Sequence, residues 1–172
     1  MFSFFSQVKV KRVLFACLVL VLLACFLGSC KNEVEDVNEP GSLPDGLVGK
    51  WVASYGDFYE ITRSNNVETL KYDSGYGSPS QGTIRFVSNY DSKSGVIIVE
   101  YTSGLTNANR PFGAVYYLDL TSTTAGLSSA WDSTAADYDA NTVTLQDAIE
   151  KFTKGNIGNY LDLSQVPTYT KQ

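Results

Sequence analysis

Histidine is absent from the chain. That removes the commonest acid/base and metal-ligating side chain and any Ser-His-Asp arrangement. Cysteine is scarce and confined to one end. All three, Cys17, Cys25 and Cys30, lie in the first thirty residues. From Lys31 onward there is no disulfide framework, no cysteine metal site and no thiol nucleophile. Positive charge is also in deficit: 13 basic residues face 18 acidic ones, for a net charge of −5. Lys9, Lys11 and Arg12 stand in a leader without acids, so the remainder is more acidic still. Such a chain repels phosphate backbones, and nucleic acid is not an expected partner. The stretch from Lys31 has no S-x-x-K run for Ser-Lys catalysis. "DSGYGSPSQG" (73–82) is glycine-rich but leads into strand-like sequence, so it reads as a turn and not as a phosphate loop. With no acid, base and nucleophile set to assemble, the expectation is a non-enzyme without cofactor or metal.

What is abundant points to β-structure. Eleven tyrosines, nine phenylalanines and fourteen glycines suit strands joined by tight turns. Period-two alternation marks 47–54, 57–62, 67–73, 82–90, 112–121 and, more weakly, 126–132. In 82–90 it places Ile84, Phe86, Ser88 and Tyr90 on one face. The run "VIIVEYT" (96–102) is apolar on both parities, as expected of a strand covered on both sides. "RSNN" (63–66) reads as a hairpin turn. One helix is expected over 145–154. Thr144 is its N-cap with Asp147 three residues on, Leu145, Ala148, Ile149 and Phe152 form an apolar stripe, Glu150 and Lys154 an i,i+4 pair, and Gly155 the stop. "NYLDLS" (159–164) is expected to return as the last strand. The pattern implies an antiparallel barrel or sandwich.

The N-terminus has its own layout. Lys9, Lys11 and Arg12 precede an almost wholly apolar run, Val13 to Leu27, and then Gly28-Ser29-Cys30. This is the order of a secretory signal, with a short membrane anchor as the alternative. Leu27-Gly28-Ser29-Cys30 resembles the lipobox of bacterial lipoproteins. In that family the cysteine thiol is diacylglycerylated and the signal is cut just before it; the new N-terminus is usually acylated, commonly with palmitate. The resemblance implies lipidation at Cys30, a membrane partner through that lipid, and a place in the bacterial cell envelope, inner or outer membrane unspecified. Leu22-Leu23-Ala24-Cys25 is a rival box, but its cut would leave Phe26 and Leu27 beside the lipid. Cys30 is followed at once by polar Lys31-Asn32-Glu33. The division expected is a signal peptide over 1–29, a flexible acidic tether over 30–46, and a β-barrel domain over 47–172. The tether is assigned on its acids, prolines and glycines, which bury too little surface to offset ordering entropy.

Gly49-Lys50-Trp51 resembles the Gly-X-Trp signature of the lipocalin superfamily, whose tryptophan plugs the closed end of an eight-stranded barrel. The resemblance implies a mostly β fold: an antiparallel up-and-down barrel, or a half-open one, with one short C-terminal helix. Gly49 and Trp51 would be structural. It further implies a small apolar or amphipathic ligand, and the body is expected to be a monomer. Among the strand aromatics, Tyr59, Phe86, Tyr101 and Tyr116 are the candidate ligand-binding residues; the plainer reading is that they fill the core. In that case the loops 73–81 and 103–111 would bind a macromolecular partner. Two weaker candidates remain. Asp132, Asp137 and Asp139 in "DSTAADYDAN" suggest Ca²⁺ without the EF-hand order of ligands, so a solvated loop is favoured. Glu100 is either an inward group of altered pKa or, more plainly, an outward one.

Overall fold

The computed structural model describes residues 40–104, 109–135 and 140–172. Eight strands run in order: β1 (Gly49–Ala53), β2 (Phe58–Ser64), β3 (Val67–Asp73), β4 (Ser80–Asn89), β5 (Gly95–Ser103), β6 (Phe112–Leu118), β7 (Thr124–Ser129) and β8 (Thr168–Lys171). Each pairs antiparallel with the next, and β8 pairs with β1, so the sheet is a closed up-and-down barrel. Closure leaves no edge strand for another chain to extend. Two helices follow β7: α1 (Leu145–Lys151) and α2 (Ile157–Tyr160).

Local chemistry explains the register. Asn65 and Asn66 have φ of 51° and 61°, the left-handed pair that closes a two-residue hairpin between β2 and β3. At Gly95 a Cβ would lie 2.3 Å from the Ser88 carbonyl oxygen and 2.5 Å from the Tyr117 hydroxyl, so only glycine fits that crossing. Ile84 pairs with Val99, and Phe86 with Ile98, which leaves Arg85 as an extra residue in β4. This bulge reverses the alternation. Ile84 and Val87 enter the barrel, whereas Phe86 turns outward. The single face expected for Ile84, Phe86, Ser88 and Tyr90 is therefore broken at Arg85.

There are two apolar clusters. The barrel interior holds Trp51, Tyr59, Ile61, Leu70, Ile97, Tyr117 and Tyr169 among others. The second lies outside the wall, where Val96, Ile98, Ala114 and Tyr116 of β5 and β6 meet Ala148, Phe152 and Leu161. The long β7–β8 connection lays α1 over these strands, and this is why β5 is apolar on both faces. Thr144 caps α1 by accepting from the Asp147 N–H at 3.1 Å. The helix ends at Lys151, short of Gly155, because Phe152 leaves helical geometry to bury its ring. Glu150 accepts from Gln146 at 2.7 Å.

One expectation is corrected here. Residues 159–164 are not the last strand: they span the end of α2 and a 3₁₀ turn, and β8 forms at Thr168–Lys171 after Pro167. Leu161 instead joins the outer cluster. Of the tether expected over 30–46, residues 30–39 lie outside the described residues. The part from Gly41 packs on the barrel. The Gly41 N–H donates to the Val87 carbonyl at 2.7 Å, and Leu43 is buried in the interior cluster. The body thus begins before Leu47.

Candidate functional site at the barrel mouth

The two ends of the barrel differ in chemistry. The hairpins at 65–66, 90–94 and 119–123 and the incoming chain at 41–48 gather at one end. The connections at 54–57 and 74–79 and the β5–β6 and β7–β8 ends of the strands gather at the other, the mouth.

At the closed end Trp51 is fully buried, and its indole N–H donates to the Leu47 carbonyl at 2.7 Å. Lys171 Nζ lies 5.3 Å from the Trp51 ring centroid and donates to the Gly46 carbonyl at 2.7 Å. Gly49 has φ of 134°, a conformation closed to most side chains. Arg63 donates to the Leu43 carbonyl and Glu68, each at 2.7 Å, and pairs with Asp45. These carboxylates hold its guanidinium pKa above the ordinary value. Tyr117 donates to Asn89. Gly49 and Trp51 thus stand at the closed end, with a basic residue over the indole.

The mouth is lined by tyrosine. Tyr59 of β2 pairs in register with Tyr72 of β3, and their ring centroids are 4.7 Å apart. Tyr169 of β8 meets Tyr59 edge-on at 5.2 Å, and the exposed Tyr55 borders it. Tyr72 donates to Asp57 at 2.8 Å. Tyr59 Oη lies 3.1 Å from Ser129 Oγ of β7. Tyr101 of β5 completes the group: it is 4% exposed, and its hydroxyl makes no hydrogen bond of full geometry among the described residues. Ser129, already paired with Tyr59, is the side chain within reach of it and offsets part of the rise that burial causes in its pKa. A Cβ at Gly113 would come within 2.8 Å of the Tyr101 ring, so that glycine makes room for it. Burial, more than any neighbouring charge, pushes the Tyr59 phenol up to about 12, and it raises Tyr101 and Tyr169 as well. All of these hydroxyls are neutral at ordinary pH.

The four tyrosine and phenylalanine candidates do not converge. Tyr59 and Tyr101 are inside the barrel; Phe86 and Tyr116 are outside, under the β7–β8 connection. Tyr116 and Tyr117 do point to opposite faces, with Tyr117 inward. Tyr116 is fully buried, and its hydroxyl too lacks a partner among the described residues. Glu100 faces outward and accepts from Arg85 at 2.7 Å, the plainer of its two readings. Asp132 uses Oδ1 to accept the Thr134 N–H and hydroxyl at 2.9 and 2.6 Å, which hold its pKa down. Asp137, Asp139 and Cys30 lie outside the described residues. Among the described residues no group of three His, Cys, Asp or Glu comes together.

Sequence reasoning missed Ser129, Asp57, Tyr169 and Lys171. The last two had a signal in "TYTK" after Pro167, an alternating tetrad too short to stand out. No protein-family model, curated protein or solved structure matches the chain.

Proposed function

We propose that the chain is a lipid-anchored lipoprotein of the bacterial cell envelope. On this reading its monomeric barrel binds a small apolar or amphipathic molecule at the tyrosine-lined mouth and catalyses nothing. The observation that carries it is the Tyr101 hydroxyl, sealed from water beside the Tyr59–Ser129 pair and left without a partner. Buried polar groups of folded proteins are nearly always satisfied, so an orphan at the rim of a barrel is where a ligand group would supply the missing bond. The described chain from Gly41 packs at the end opposite the mouth. The anchor rests on the box Leu27-Gly28-Ser29-Cys30 and its polar exit.

Native mass spectrometry of the body from Lys31, purified from its natural host without detergent, tests the binding. A reproducible small adduct lost on denaturation is expected, and a bare mass counts against the reading. For the anchor, Cys30→Ala is expected to abolish acyl labelling and leave the body folded. Label retained in that variant would move lipidation to Cys25.

One observation favours a second reading. Tyr76, in the connection between β3 and β4, is 90% exposed. Exposed aromatics on loops are typical anchors for a macromolecular partner. Partner capture that survives Tyr101→Phe but not replacement of 74–79 would select this reading.

A further inference from the structure

We infer that the mouth selects an uncharged ligand group, a hydroxyl or carbonyl, which hydrogen-bonds to Tyr101 Oη beside the Tyr59–Ser129 pair. This rests on the barrel-binding reading proposed above.

Three observations lead to it. First, the orphan hydroxyl belongs to a convergent set: Tyr101 from β5, Tyr59 from β2 and Ser129 from β7 reach one place from three sides of the barrel. A hydroxyl both donates and accepts, so the set matches a ligand alcohol or carbonyl without any change of protonation. Second, no charged side chain is buried among the described residues; the buried polar ones are Ser80, Ser88, Thr142 and Thr153. A carboxylate or phosphate drawn inside would lose its hydration with no cation to replace it. Third, the charge that acts on Tyr59 and Tyr72 has the wrong sign for an anion. Asp57, at the rim, accepts from Tyr72 at 2.8 Å, and that hydrogen bond adds to the burial that keeps the Tyr72 phenol protonated. A cation would meet aromatic faces but would leave Tyr101 Oη with nothing to donate to, since an ammonium has no acceptor. A neutral acceptor such as an alcohol or carbonyl oxygen satisfies the hydroxyl and avoids an unpaired buried charge.

The rest of the cluster limits the shape of the ligand. The Tyr59, Tyr72 and Tyr169 rings pack on one another, with centroids 4.7 and 5.2 Å apart, so the wall on that side is apolar between its hydroxyl tips. The molecule that fits carries its neutral oxygen inward and an apolar portion along these rings.

The test uses the body with three probes of equal chain length, octan-1-ol, octanoate and octylammonium, followed by the tyrosine ring resonances in NMR. Octan-1-ol is expected to shift Tyr101 and Tyr59 saturably, with the two charged probes at least tenfold weaker. Tyr101→Phe keeps the ring and removes the donor, and it should weaken octan-1-ol binding roughly three- to tenfold, the value of one hydrogen bond. Tyr116→Phe removes the other orphan hydroxyl, outside the barrel, and should change nothing. Equal binding of all three probes, preference for either charged one, or indifference to Tyr101→Phe would overturn the inference and leave barrel binding standing. If no probe moves the interior tyrosines, the barrel-binding reading itself fails.

Discussion

The closed end and the mouth of this barrel are built from similar residues to opposite effect. At the closed end the polar groups around Trp51 are tied within the chain: the indole N–H meets Leu47, Lys171 meets both the ring and Gly46, and Arg63 ties the incoming chain to β2. At the mouth the aromatic rings are equally well packed, yet a buried hydroxyl is left over. The two ends pack their rings alike and differ in whether the polar atoms on those rings are satisfied within the chain.

The strongest way to break this comparison is at the plug. Trp51→Ala should destabilise by about 3–5 kcal/mol, the cost of removing a large buried aromatic. Equilibrium denaturation measures it, and a cost below about 1 kcal/mol would mean that the closed end is not what holds the barrel together. The next effect belongs to the mouth and to alkali. The Tyr59 phenol is held up to about 12, against an ordinary 10.0, chiefly by burial. Because the folded pKa is the higher one, this stability is complete below pH 10 and is lost as pH rises from 10 toward 12, when the unfolded chain ionises first. Tyr59 alone should lose about 2–3 kcal/mol over that interval. Circular dichroism and the Tyr59 ring resonances in NMR should therefore change together. Tyr59 phenolate forming while the fold persists would show that the mouth admits hydroxide and is not sealed.

Much of the barrel was legible because half-buried strands alternate. β1 to β4, β6 and β7 were marked by period-two patterns, β5 by its apolar run, the 65–66 turn by its asparagines and α1 by Thr144. What was not legible had local causes. The Arg85 bulge flips Phe86 outward, and no residue type announces a bulge. β5 is apolar on both faces, so the sequence could not say that Val96 and Ile98 belong under α1 and Ile97 and Val99 inside. The same ambiguity sent Tyr116 to the candidate site in place of Tyr117's side of the wall. β8 was missed because a four-residue strand with one inward tyrosine carries less pattern than "NYLDLS", whose apolar residues serve the outer cluster instead. Half of the mouth was thus visible in advance as Tyr59 and Tyr101. Its other half comes from Ser129 and Tyr169, which only closure of the barrel brings near.

A smaller effect sharpens the closed end. Lys171→Met keeps the apolar stem and removes the ammonium that faces Trp51 and Gly46. The loss should be about 1 kcal/mol, as for a partly exposed cation over an aromatic ring. It should shift the denaturant midpoint without altering its slope. No shift would mean that the lysine decorates the plug and does not brace it.

The smallest effect is the most discriminating, because it compares two tyrosines in one cluster. Tyr59→Phe removes a hydroxyl that has a partner in Ser129 and should cost about 1 kcal/mol, the net value of one hydrogen bond. Tyr101→Phe removes a hydroxyl that has none. In the ligand-free body that change should be neutral or stabilising by up to about 1 kcal/mol, since an unmet buried donor is a penalty and not a contribution. Two conservative substitutions of the same type, in one cluster, should thus differ in sign. Chemical denaturation of both variants in one buffer reads the difference directly. Equal costs would mean that Tyr101 Oη is satisfied in solution, and the mouth would then be a second plug.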